Sequence, residues 1–184
     1  QIARGTMLTP DFTDQLIARR LDGVIFSGDV TDAASNELAL DCMRRLRRQM
    51  PLVAINLREV THDLPCLITE LAACSALAIR HLTKLGHRRI ALIRRVPSSA
   101  LSSERFAGYR QALEEAGIDF DPALVVQSEA GPAAGCKAMQ QLLALPQRPT
   151  AVITHNDVLA LGALHAAWQA GLSVPRELSL VGYD

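Results

Sequence analysis

Arg105, Asn156 and Asp184 are the side chains best suited to holding a small polar molecule, with Ser99 and Ser102 as weaker companions. A guanidinium is a rigid, bidentate fork that fits sugar hydroxyls, carboxylates or phosphates. An asparagine amide both donates and accepts, and a carboxylate accepts twice, which suits polyhydroxy ligands. Arg105 falls in the first turn of a predicted helix, where the helix dipole mildly disfavours a cation kept for structure alone. The serine-rich stretch 97–103 lies beside it, and such a stretch is usually only a linker. Asn156 and Asp184 follow predicted strands. Their plainer roles are helix capping for Asn156 or Asp157, with Asp157 the better cap, and a turn for Asp184. An open cleft would leave Arg105 solvated.

Catalytic and metal chemistry find less support. The histidines (His62, His81, His87, His155, His165) show no HExxH or other metal-binding spacing, and the cysteines (Cys42, Cys66, Cys74, Cys136) form no CxxC pair. His155 stands next to Asn156 and Asp157, yet no activated nucleophile or phosphate-cradling glycine loop accompanies it. No enzyme, metal or cofactor is expected. Scattered free thiols, no opening secretory signal and no apolar run long enough to span a bilayer predict a cytoplasmic protein without a membrane partner.

The elements that must position these residues follow a β–α alternation. Short apolar, β-branched runs predict strands at 24–26, 51–57, 64–69, 89–93, 124–127, 151–153 and 178–181. Helical spacing predicts helices at 11–20, 33–49, 72–85, 104–116, 131–145 and 158–170, with Gly86, Gly117 and Gly171 as stops and Ser102 or Ser103 as a cap. This alternation predicts parallel sheets with right-handed crossovers. We read two Rossmann-like subdomains, 1–95 and 96–184, each partial. Polar residues then collect at the carboxyl ends of the strands, the edge where open α/β sheets bind ligands.

Charge is uneven although the net is zero. Residues 1–95 carry 14 Lys+Arg against 10 Asp+Glu, and residues 96–184 carry 5 against 9. Much of the basic excess is Arg44-Arg45-Leu46-Arg47-Arg48, which reads as a solvated helix face because no aromatics or DNA-binding motif accompany it.

Several blocks, in order, carry a resemblance. They are His81-Leu82 through Gly86-His87-Arg88-Arg89-Ile90-Ala91, and Arg105-Phe106-Ala107-Gly108-Tyr109. Pro149-Thr150-Ala151, Asn156-Asp157, Ala160-Leu161-Gly162, Gly171, Val174-Pro175, Glu177-Leu178-Ser179 and Val181-Gly182-Tyr183-Asp184 complete the set. Together they resemble the effector-binding core of the LacI/GalR family of bacterial transcriptional regulators. The resemblance implies a periplasmic-binding-protein-like (type I) fold, truncated at both ends. It implies a small effector, a sugar or related metabolite, bound between the subdomains with Arg105 in contact. It also implies a homodimer, with operator DNA read by a helix-turn-helix absent from this chain. Glu70-Leu71, Ala73, Cys74 and Ala130 depart from the family pattern. Ala130 stands where sugar-binding members often place an aromatic ring. The alternative reading is a solute-binding protein of an uptake system, with the same two-lobed architecture.

Overall fold

The computed structural model describes residues 8–27, 33–57, 64–96 and 100–183. Within them the chain forms two compact units that divide between Thr69 and Glu70.

In the first unit, β1 (Val24–Ser27), β2 (Leu52–Ile55) and β3 (Cys66–Leu67) form a parallel sheet in that order. Helix α1 (Pro10–Ala18) starts with proline in its first turn, and the Thr9 hydroxyl accepts from Phe12 N at 3.3 Å. Helix α2 (Ala33–Arg47) turns Cys42, Met43 and Leu46 into a core with Leu52 and Ala54 of the sheet. Its arginine cluster is the opposite face. Arg45, Arg47 and Arg48 are exposed, Arg45 is ion-paired with Asp14, and Arg44 lies 3.1 Å from Asp41.

In the second unit, β4 (Ile90–Arg95), β5 (Val125–Ser128), β6 (Ala151–Thr154) and β7 (Ser179–Val181) are all parallel, in the order β5-β4-β6-β7. Helices α3 (Leu71–Lys84) and α4 (Ala100–Glu115) pack together, as do α5 (Pro132–Leu143) and α6 (Asp157–Gln169). The pleat sorts the strand residues between the two helix pairs. Ala91, Ile93 and Val152 join the α5/α6 core, whereas Ile90, Leu92, Ala151 and Ile153 join the α3/α4 core. Both faces are therefore covered, which explains why β4 and β6 read as unbroken apolar runs.

Two features let the helices approach closely. A Cβ at Gly162 would overlap the Pro132 carbonyl and come within 2.8 Å of Cys136 N, and one at Gly108 would overlap the backbone of Ala72. Glycine is thus required at the α5/α6 and α3/α4 crossings by space. The expected helix stops hold: Gly86 and Gly171 adopt φ of +92° and +76° just past α3 and α6.

The amino edge of the second sheet is tied by side chains. His87 Nδ1 lies 2.9 Å from Thr150 Oγ1, and its Nε2 lies 2.9 Å from Ser179 Oγ, so one imidazole bridges the chain leading into β6 and the first residue of β7. Arg89 donates to Asp121 Oδ2 at 3.3 Å and to the Gln147 carbonyl at 2.9 Å. The Tyr109 hydroxyl donates to the Ile90 carbonyl at 2.8 Å, and burial, followed by the Asp121 charge, raises its pKa above the ordinary phenol value.

Three expectations change. The boundary drawn at 95/96 moves to 69/70, because β4 hydrogen-bonds to β5 and β6 while α3 packs on α4. Ser102 and Ser103 do not cap α4, which already begins at Ala100; Ser102 is buried instead and its hydroxyl donates to the Arg95 carbonyl at 3.3 Å. Asn156, not Asp157, caps α6, since its Oδ1 accepts from Leu159 N at 3.0 Å while Asp157 is the first helical residue.

Candidate functional site

Strand order decides where a ligand can sit. The chain runs from β4 to β5 on one side and then crosses back to place β6 on the other side of β4, so the connections diverge between β4 and β6. At such a switch point the carboxyl ends of the strands leave a crevice. A shallow depression, open to solvent, lies there. It is lined by Arg94 from the end of β4, Thr154 and His155 from the end of β6, and Gly182 and Tyr183 just past β7. Cys74 and Ala78 of α3 and Ser102, Arg105 and Phe106 of α4 close it from one side.

Arg105 is the centre of this group. Its guanidinium lies 3.8 Å from the centroid of the Tyr183 ring, and its Nη1 donates to the His155 carbonyl. It therefore ties the ends of β6 and β7 to the first half of α4. A guanidinium over an aromatic face is attracted by the ring quadrupole, more strongly where water is partly excluded. Arg105 is half-buried rather than solvated, which corrects the expectation of an open, freely hydrated arginine. The Tyr183 hydroxyl donates to Cys74 Sγ at 3.6 Å. Burial raises the Tyr183 pKa, the Cys74 contact adds to the effect, and Arg105 opposes it. The phenol therefore stays neutral and keeps its donor.

The other expected site residues fare differently. Ser102 lines the depression, though its hydroxyl is turned to Arg95. Asn156 stands one residue past His155 with its carbonyl oxygen committed to the cap. Ser99 and Asp184 lie outside the described residues. Sequence reasoning missed Arg94, Thr154, Tyr183 and Cys74. Arg94 and Arg95 fall past the strand expected at 89–93, beside the boundary drawn at 95/96, and a tyrosine in a recurrent motif carries no sign of stacking.

Capping gives Asn156 a measurable effect on stability. Asn156→Ala is expected to lower the stability of the folded chain by about 1 kcal/mol, as for other helix N-caps, with Asn156→Asp close to the parent. Urea denaturation followed by circular dichroism checks it, and an unchanged midpoint in the alanine variant would rule out a capping role.

Comparison with known proteins agrees with this geometry. Residues 79–184 match the periplasmic binding protein-like domain family. The chain is 37% identical over 174 residues to the HTH-type transcriptional repressor CytR of Escherichia coli, an alignment covering 94% of this chain and 49% of the repressor. It thus spans about half the length of the curated relatives it matches. A LacI-family regulatory protein from Chloroflexus aggregans superposes with a TM-score of 0.78 at 26% identity, covering 100% of this chain and 64% of that one. The transcriptional regulator CelR in complex with cellobiose superposes with a TM-score of 0.73 at 27% identity, covering 95% and 52%. These relatives are regulators rather than enzymes. Matched in family profile, in sequence and in the course of its strands, the chain belongs to the LacI/GalR family through its periplasmic-binding-protein-like core.

Proposed function

We propose that this chain is the effector-sensing core of a DNA-binding transcriptional regulator. In this reading the depression at the carboxyl edge of the second sheet holds a small polar effector. Arg105 is the principal contact, joined by Ser102 of the depression's lining; Asn156, Asp184 and Ser99 are proposed as further contacts, the last two lying outside the described residues. The observation that carries the reading is the position of Arg105: at the switch-point crevice, anchored on both the His155 carbonyl and the Tyr183 ring. A ligand that binds one conformer better shifts the population toward it, and a DNA-binding domain outside this chain would read that shift. Resemblance to a sugar complex, that of CelR with cellobiose, supports a carbohydrate or related metabolite as the effector class. Repressor relatives weigh for this reading over a solute-binding protein of an uptake system. Working as a homodimer in the cytoplasm belongs to the same proposal.

Arg105→Ala tests the site. Removing a hydrogen-bonding partner from a partly desolvated site costs about 1–3 kcal/mol, so effector affinity is expected to fall roughly tenfold or more. Because Arg105 also ties two strand ends to α4, the variant is expected to lose some thermal stability without ligand. Calorimetry against a panel of sugars and related metabolites gives the affinity. Equal binding by parent and variant would place the effector elsewhere.

A further inference from the structure

We propose that Arg94 makes this site selective for an anionic effector, a small metabolite bearing a phosphate or carboxylate group. The proposal rests on the effector site argued above and names the chemistry of what enters it. Arg94 stands near the carboxyl end of β4, at the point where the strand connections diverge. By the pleat it shares the face of Ile90 and Leu92, toward α3 and α4, and it lines the depression together with Arg105. Its guanidinium carbon lies over the Phe106 ring, 4.6 Å from the centroid, so the fork rests against one wall.

Nothing among the described residues answers the charge of Arg94. Among the described residues no carboxylate pairs with Arg94, and its buried Nε–H meets no hydrogen-bond acceptor. Arg89, five residues earlier on the same segment, also has a buried Nε–H without an acceptor, but its Nη groups hold Asp121 and the Gln147 carbonyl. The described residues lining the depression include two guanidiniums and one imidazole but no Asp or Glu. A partly buried cation without a counter-charge is costly, and a bidentate anion relieves that cost with charge-assisted hydrogen bonds. A neutral sugar can accept from the forks but supplies no counter-charge. The depression also supplies two aromatic faces, Phe106 and Tyr183, against which both arginines are already stacked. The walls therefore orient the forks before a ligand arrives, which spares the ligand that ordering cost.

The test titrates the full chain with glucose, glucose 6-phosphate, glucuronate and inorganic phosphate. Binding is read by calorimetry and by the Nε–H resonance of Arg94. We expect the charged hexoses to bind roughly tenfold or more tightly than glucose, and inorganic phosphate to displace the Arg94 resonance saturably in the millimolar range. The tighter of the phosphate and uronate arms identifies the anion. Arg94→Met retains an aliphatic stem to lie on Phe106 and should erase the preference, whereas Arg94→Lys should keep part of it. Circular dichroism verifies that both variants fold. Equal affinity for glucose and its charged counterparts, a preference that survives in Arg94→Met, or no saturable response to any anionic probe would each overturn the proposal. The effector site itself is tested separately: Arg105→Ala with every affinity unchanged would remove the site, while sensitivity to Arg105→Ala without anion preference would remove only the role of Arg94.

Discussion

Gly162→Ala is expected to destabilise the second unit by about 3 kcal/mol, a large effect for adding one methyl group. The new Cβ has nowhere to go. It would overlap the Pro132 carbonyl and crowd Cys136 N, both of them backbone atoms of α5 that cannot rotate away. Relief requires α5 and α6 to separate, and that opens the core built from Ala138, Met139, Leu142, Ala163, Ala166 and Ala167. Helix propensity alone points the other way, since alanine is favoured over glycine inside a helix by about 1 kcal/mol. The sign of the result therefore separates packing from propensity. Leu161→Ala, one residue earlier and 63% exposed, serves as the control and should stay within about 0.5 kcal/mol of the parent. Urea denaturation with an unchanged m-value measures both. A Gly162→Ala variant as stable as the parent would mean that the helices do not cross this closely.

Tyr109→Ala is expected to cost about 3–5 kcal/mol, the range for deleting a buried aromatic ring. The ring is 1% exposed, packs with Ile79, Leu82 and Leu113, and lies 6.3 Å from the Phe106 ring. Tyr109→Phe isolates the hydroxyl. It leaves the Ile90 carbonyl without this donor and should cost about 1 kcal/mol. The ratio of the two losses is the informative quantity. If Phe and Ala were equally damaging, the hydrogen bond rather than the ring would organise the α3/α4 side.

How much of this was legible in the sequence depended on the range of the interaction. The strands at 90–95 and 151–154 stood out because a sheet covered on both faces demands consecutive apolar side chains. The ends of α3 and α6 stood out because Gly86 and Gly171 take a backbone conformation that other residues avoid. The domain boundary was misplaced because strand pairing is a choice made by tertiary structure: nothing within Ile90–Arg95 says that its neighbours are β5 and β6 rather than β3. The choice between Asn156 and Asp157 as cap turned on a single residue of register, and either side chain could serve. At the site, Arg105 was legible from its place in a recurrent block. Its attachments were not, since the His155 carbonyl is 50 residues away and the Tyr183 ring lies in another element. Arg94 was invisible for a similar reason. Only the strand order turns a charged residue at the end of β4 into a wall of a crevice.

The two edges of the second sheet are built differently, and this bears on how the protein can change. His87 and Arg89 fasten the amino edge, while Arg94, His155 and Tyr183 line the carboxyl edge. Ile90–Ile93 and Ala151–Ile153, buried between helices, separate them. Changes to Arg94, Cys74 or Thr154 therefore remove none of the side-chain ties at the amino edge. Such a layout lets ligand preference drift, by natural variation or by directed selection, with little tax on foldability. A library randomised at Arg94 and Cys74, both partly exposed, should keep most of its members folded, whereas one randomised at His87, Thr150 and Ser179 should lose many of them.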